Sequence, residues 1–345
     1  MSDFRIAPGF EDVWRPVAGP RRTPQAVLAA GHTRDDARAR LIRIVRRTPE
    51  VMVKVTGRTR DPSHLRAHLD YISRNGALEF EDQDGVRFAG RREVADLAED
   101  WAAVSLQDPR RRANTPFSHS IVLSMPQGAD PGAVQDAARA FAADRFGGRF
   151  DYVFVLHTDA AHPHVHLAVR SLGVGHARLN PKKADLETWR QVFAQALRDR
   201  DVEAEATPRR TRGVTRKAER SPVRKIRERH ALGQGPAAKV FRAAVRDAAR
   251  TALGPAPSPT VWELRLGARQ RRVRGLYLAQ ARLLQASGDP ADRRLGEEVA
   301  AFVRRMAPAE TQRRQLIRVL RAAHVDGPAL STHRAVEPSG REHDR

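Results

Sequence analysis

At 345 residues the chain has room for one large domain with an extension, or for two domains. Its formal net charge of +21, carried mostly by arginine, points to a polyanionic partner, with nucleic acid the first candidate. The absence of cysteine excludes disulfides, thiolate zinc fingers and a cysteine nucleophile. No run approaches the ~18 apolar residues of a membrane span, and Met1 to Trp14 lacks a charged leader ahead of an apolar core. A cytoplasmic protein without membrane insertion is therefore expected.

Residues 1–50 are rich in Pro, Gly and Arg, with helical patterning only at 25–30 and 35–46, and read as a loosely ordered basic lead-in. Residues 51–57 alternate as a short strand. After the turn signal Arg60-Asp61-Pro62-Ser63 a helix is expected over 64–74, with Ser63 as N-cap and Asn75-Gly76 at its end. Leu65, His68, Leu69 and Ile72 fall at helical spacing, and Tyr71 lies near the C-terminal end, close to His68 and Arg74. A polar hairpin over 79–91, a helix over 92–106, a strand over 117–126 and a helix over 131–146 follow. Beyond Thr207 the composition shifts. Arg209, Arg210, Arg212, Arg216 and Lys217 open a basic tract, read as a linker over 209–235 that tracks phosphates. Helices expected at 237–253, 261–286, 289–306 and 309–323 make a small helical region over 236–324, and 325–345 read as a disordered tail. On this division residues up to about 215 suffice for chemistry.

The richest stretch is His157-Thr158-Asp159-Ala160-Ala161-His162-Pro163-His164-Val165-His166, which holds four of the 13 histidines. Apolar, β-branched runs flank it, so it reads as two paired strands around a turn. Pro163 fixes its own φ and pushes His162 out of the helical region. In the extended path beyond, His164 and His166 share a face, and His157 can meet them across the hairpin. Three such imidazoles make a metal site with open positions. His162, in the turn, stays outside the set. Asp159 could orient a ligand through its second nitrogen or simply cap the turn. The element order suits an α+β fold, an antiparallel sheet backed by helices.

Three motifs in order carry a resemblance: His68-Leu69-Asp70-Tyr71-Ile72-Ser73-Arg74-Asn75-Gly76, then Ser118-His119-Ser120-Ile121-Val122-Leu123-Ser124-Met125-Pro126, then the histidine stretch. Together they resemble the conjugative relaxases, mobilisation nucleases of the HUH class, in the single-tyrosine branch with a His-x6-His-x-His motif. The resemblance covers roughly residues 50–215, taking in Arg178-Leu179-Asn180-Pro181 and the helix through Trp189 and Phe193. Many relatives carry Asn where this chain has Arg170. The resemblance implies a relaxase domain over 51–208 that cuts one strand at an origin of transfer, with Tyr71 as nucleophile and a 5′-phosphotyrosine product. It implies His157, His164 and His166 on a divalent cation (Mg, Mn or Zn), Ser124 near the cut and Arg74 on the DNA. It further implies single-stranded origin DNA, a relaxosome accessory protein and a type IV coupling protein as partners, and a cytoplasmic enzyme compatible with passage along the transferred strand.

Two other readings use the same residues. A replication initiator or transposase also pairs a His-rich strand with a helical tyrosine, but commonly places the tyrosine after the histidines, whereas Tyr71 precedes them. A DNA-packaging or regulatory protein with a structural zinc would need a fourth ligand, and none stands at an obvious spacing.

Overall fold

The structure is a computed structural model that describes residues 4–14, 34–160, 162–215, 219, 221–255 and 257–325. Helix α1 (Arg34–Val45) leads into β1 (Met52–Arg58), α2 (Pro62–Ile72), the hairpin β2 (Phe80–Asp82) and β3 (Arg87–Phe88), and α3 (Arg91–Leu106). Then come β4 (Ser118–Ser124), α4 (Pro131–Phe146), β5 (Tyr152–His157), β6 (His164–Arg170) and α5 (Lys183–Arg198). The six strands form one antiparallel sheet in the order β1-β4-β6-β5-β2-β3, which sets the histidine strands β5 and β6 in its middle. The fold is α+β, as the element order predicts.

The period of two along each strand divides the sheet into two faces. Phe154 of β5 and Leu167 of β6 join Ile121 and Leu123 under Phe141 of α4 and Phe193 of α5. Val153, Val155 and Ala168 face the other way, under Leu65, Leu69 and Ile72 of α2 and Trp101 of α3. Continuing that alternation, His157 shares its face with Val153 and Val155, while His164 and His166 share theirs with Ala168. All three therefore lie on the α2 side. Their pairing closes the set, with His157 opposite His164 and Val155 opposite His166.

Helix α2 starts two residues earlier than expected. Its N-cap is Asp61, whose carboxylate accepts from the His64 backbone N–H at 2.7 Å, with Pro62 in the first turn. Ser63, expected as the cap, instead donates its hydroxyl to Asp61 at 2.6 Å. A carboxylate accepts more strongly from an exposed N–H than a hydroxyl does, and a Pro at the first helical position favours the residue before it as cap. At the other end Ser73, Arg74, Asn75 and Gly76 turn the chain sharply. Arg74 and Asn75 take φ of 54° and 58°, a left-handed conformation that costs a non-glycine residue roughly 1 kcal/mol or more. Gly76 has φ 81°, and a Cβ there would meet the Gly90 backbone at 2.5 Å, so no other residue fits.

Five helices follow: α6 (Ser221–Ala231), α7 (Lys239–Ala252), α8 (Val261–Gln285), α9 (Pro290–Arg304) and α10 (Gln312–Val325). Helix α6 falls inside the stretch read as a linker. Pro222 in its first turn and the Arg224–Glu228 pair, four residues apart, are ordinary helix signals hidden in a charge run. The expected helix at 25–30 and the expected disordered tail from 326 onward lie outside the described residues.

The chain divides into two compact units, residues 1–212 with 275–305, and residues 213–274 with 306–345. The helical C-terminal region expected as one piece is thus split, and the N-terminal residues are not loose where they are described. Phe4, Phe10 and Val13 are buried, and the Tyr277 ring meets Phe10 at 5.1 Å and Phe302 at 5.2 Å. Arginine-rich composition concealed these few large apolar anchors. A chain cut after residue 215 would lose Tyr277, Leu284, Leu295, Val299 and Phe302 from the first unit's interior. At about 1.5–3 kcal/mol for each such side chain, the loss matches the whole stability of an ordinary domain. Thermal denaturation should find no cooperative transition for that fragment, or one far below the full chain's. An unchanged transition would show that 275–305 contributes nothing to the first unit.

Candidate active site and metal centre

His157, His164 and His166 each place one ring nitrogen within 4.8 Å of the other two, the geometry a single cation needs. Their ring centroids are 5.2 Å (157–164), 4.4 Å (157–166) and 5.2 Å (164–166) apart. Backbone carbonyls hold two of the rings. The buried His157 sets Nε2 against the Ile72 carbonyl at 2.7 Å, and His164 sets Nδ1 against the His162 carbonyl at 3.2 Å. With that nitrogen as donor, each ring keeps its opposite nitrogen as a lone pair. The Nδ1 of His166 is buried without a hydrogen-bond partner among the described residues. Burial and the adjacent imidazoles lower the His166 pKa to about 3, and burial likewise lowers that of His164. Two imidazoles each anchored through one nitrogen, and a third with an unsatisfied buried nitrogen, fit a divalent cation better than they fit a structural cluster.

The α2 helix brings Tyr71 to this face. Its side chain is 60% exposed, and its ring stands edge-on to His166 with centroids 6.1 Å apart. The strained turn after α2 swings Arg74 back, so that its guanidinium carbon lies 5.5 Å from the Tyr71 ring centroid. Arg74 pairs with Asp159 and also approaches His157 Nδ1 at 3.4 Å. That pairing, joined by His157 and opposed by burial, holds the Asp159 carboxyl below the ordinary range. Asp159 reaches His157 Nδ1 only at 3.9 Å. The orienting contact expected of Asp159 through the second nitrogen is made by the Ile72 carbonyl instead, and Asp159 anchors Arg74. Only the close approach of α2 to β5 could reveal that.

Ser124 stands opposite His164 in the β4–β6 ladder but is 3% exposed. Its hydroxyl donates to the Pro163 carbonyl at 3.3 Å, so it ties down the histidine turn rather than facing solvent. His162 is half-buried, and its ring lies 5.7 Å from that of His164. Arg170 is bound to Asp151 at 2.7 Å, at the strand end away from the histidines. Of the basic tract, Arg212 pairs with Glu50 at 2.9 Å, Arg209 is exposed and Arg210 is half-buried. Arg216 and Lys217 lie outside the described residues.

Three polar side chains beside Tyr71 were given no role from the sequence. His68 Nε2 meets the Ser120 hydroxyl at 2.9 Å, and Ser120 meets the Thr56 hydroxyl at 2.8 Å. A bulge in β1 between Val55 and Gly57 turns Thr56 onto this face. The i, i+3 spacing of His68 and Tyr71 was the available signal, and it was absorbed into the apolar stripe of α2.

Comparison with known proteins places this geometry. Residues 71–202 match the family model described as relaxase, MobA/VirD2-like, nuclease domain. The T-DNA border endonuclease VirD2 of Rhizobium radiobacter is 27% identical over 187 residues, 48% of this chain and 43% of that protein. The T-DNA border endonuclease VirD2 of Agrobacterium fabrum (strain C58) is 26% identical over 207 residues, 52% of this chain and 46% of that protein. The chain thus spans less than half the length of these curated relatives. A solved structure described as the molecular basis of vancomycin resistance transfer in Staphylococcus aureus is 14% identical, with a TM-score of 0.32 over 46% of this chain and 98% of its own. The first matched residue is Tyr71 and the span encloses all three histidines, so the site lies within the part of the chain that is similar to a MobA/VirD2-like relaxase nuclease domain.

Proposed function

We propose that this chain cuts one strand of DNA at an origin of transfer and keeps the 5′ end as a phosphotyrosine ester on Tyr71, for conjugative transfer or mobilisation. The observation that carries the reading is an exposed tyrosine edge-on to one of three imidazoles arranged for a single cation. The Tyr71 oxygen would attack the scissile phosphorus as the bond to the 3′ oxygen breaks. The phenol proton is lost to a base, and the departing 3′ oxygen takes up a proton as a hydroxyl. The single ester exchanged for another keeps the reaction reversible. A phenol that keeps its proton is a weak nucleophile, so the surrounding charge must favour its ionised form.

His157, His164 and His166 would hold a divalent cation, Mg or Mn foremost and Zn in reserve, which supplies charge to a non-bridging phosphate oxygen. Nitrogen-only ligands leave the full charge of the ion available, where carboxylates would cancel part of it. Arg74, steadied by Asp159, would hold the phosphate beside the Tyr71 ring. The net charge of +21 would draw the strand to the domain. An accessory protein that opens the origin, and a coupling protein that accepts the covalent complex, belong to the same proposal, as does a cytoplasmic site of action. Among the described residues no helix is long and apolar enough to cross a membrane.

The test is relaxation of a supercoiled plasmid carrying the chain's own origin, with added Mg²⁺ or Mn²⁺. Open circles with a protein-blocked 5′ end are expected, and chelator should prevent them. Circles that stay closed with every metal would overturn the reading.

A further inference from the structure

Residues 213–274, the first segment of the second compact unit, carry sixteen Lys and Arg against four Asp and Glu. Each of the four acids is already paired. Glu219 meets Arg227 at 3.0 Å and Glu228 meets Arg224 at 3.5 Å. Asp247 and Glu263 are taken by Arg313 and Arg314 of α10, at 3.0 and 3.1 Å. That leaves one face of α7 without compensating charge. Lys239, Arg242, Arg246 and Arg250 follow one another at steps of three, four and four residues. At 3.6 residues per turn they fall within about 80° of one another. All four are exposed, and among the described residues none has an acidic partner. Ala248, on the opposite side of the helix, is buried, and α7 packs on α10. Arg313 also donates to the Thr251 hydroxyl at 3.1 Å, and Arg321 donates to the Gly254 carbonyl just beyond the helix at 2.7 Å. The arginines of α10 thus brace α7 from behind and hold its one carboxylate, so the row in front is rigid and stays positive.

We infer that this row is a second nucleic-acid site, on the other compact unit from the cutting residues, which grips the backbone of double-stranded DNA without reading its sequence. Geometry favours a duplex. From Lys239 to Arg250 the row is about 16 Å long at the rise of a helix. A duplex presents one negative charge about every 1.7 Å of its axis, at fixed positions. Cations held in a line suit phosphates held in a line, whereas a flexible single strand loses conformational entropy when it is straightened to match. Composition points the same way. The face bears no aromatic ring, only Ala243 and Ala249 beside the four cations, so a base finds no stacking platform there. It bears no amide or carboxylate either, so no base edge is read and charge alone decides. The choice of DNA over RNA rests on the nicking role proposed above, in which the cut strand comes out of a duplex. A grip on that duplex would keep the protein at the origin while the first unit handles a single strand.

The experiment uses the full chain and a blunt duplex of about 30 base pairs that lacks any origin, titrated by fluorescence anisotropy from about 50 to about 200 mM salt. Arg242→Ala/Arg246→Ala/Arg250→Ala should weaken binding about tenfold or more. It should flatten the log–log salt slope by about 2.7, at about 0.9 for each lost phosphate contact. A control, Arg294→Ala/Arg304→Ala/Arg305→Ala, removes the same charge from three exposed positions of the first unit and should keep the wild-type slope. Alanine is the best helix former, so both variants should melt as the wild type does. Both should also cut a single-stranded origin oligonucleotide at the wild-type rate. On the wild-type chain the same duplex should protect Arg242, Arg246 and Arg250 from phenylglyoxal, read by mass spectrometry, a measurement that stands even where a variant fails to fold.

An unchanged slope in the first variant, an equal loss in the control, or no protection of the three arginines by duplex overturns the site and leaves nicking intact. Protection by phosphatidylserine vesicles or by duplex RNA in preference to duplex DNA overturns it as well. Loss of slope as expected, in a chain that never cuts its origin strand, supports the duplex site and counts against the nicking role.

Discussion

Alanine at His164 or at His166 is expected to abolish strand cutting, by about 10³-fold or more, while binding to single-stranded origin DNA stays within about twofold. The two effects separate because they rest on different groups. Affinity for a single strand comes mainly from cation–phosphate contacts, and the arginines are untouched by either change. Cutting needs charge at one phosphate, and each of the three imidazoles supplies one of three ligand atoms within 4.8 Å of one another. His162→Ala should be far milder. What His162 gives the cluster is its backbone carbonyl on His164 Nδ1, which alanine retains. A gel assay of a labelled origin oligonucleotide would measure cutting, and fluorescence anisotropy would measure binding. Near wild-type cutting by either His164→Ala or His166→Ala would refute the three-histidine assignment, and equal loss in His162→Ala would move it.

The histidine cluster was legible because it depends on local rules. Pro163 forces the turn, the period of two puts His164 and His166 on one face, and a hairpin brings His157 opposite. What surrounds the cluster was not, because it depends on which elements meet. Ile72 looks like any apolar helix residue, yet its carbonyl holds His157, since α2 ends where β5 ends. Asp159 looked like a ligand's partner and is drawn off by Arg74, which only a left-handed backbone could aim there. A depression lined by Arg58, Arg110, Arg112, Asn114, His119 and Asn180 draws on residues that no spacing connects. The first unit's closure by 275–305 rests on Tyr277 meeting Phe10 across more than 260 positions, and a helix full of arginine gave no warning of it.

Tyr71→Phe is expected to bind DNA as the wild type does and to form no covalent product. The chain has three tyrosines, and their surroundings differ enough to decide among them. Tyr152 is 2% exposed, packs against Phe146 at 6.4 Å, and has its ionisation made harder by burial and then by Glu81. Tyr277 is fully buried between Phe10 and Phe302, and burial pushes its pKa far above the ordinary phenol value. Neither hydroxyl can meet a phosphate without unfolding its surroundings. Tyr71 is exposed, stands beside His166 and has the Arg74 guanidinium near its ring. Phenylalanine removes one oxygen from an exposed side chain and nothing from the core, so stability and DNA affinity should hold. Digestion after incubation with an origin oligonucleotide and metal should yield one mass-shifted peptide, the one containing residue 71, in the wild type alone. An adduct on Tyr152 or Tyr277, or one that persists in Tyr71→Phe, would end the nucleophile assignment and leave the cation site to be judged by the histidine variants.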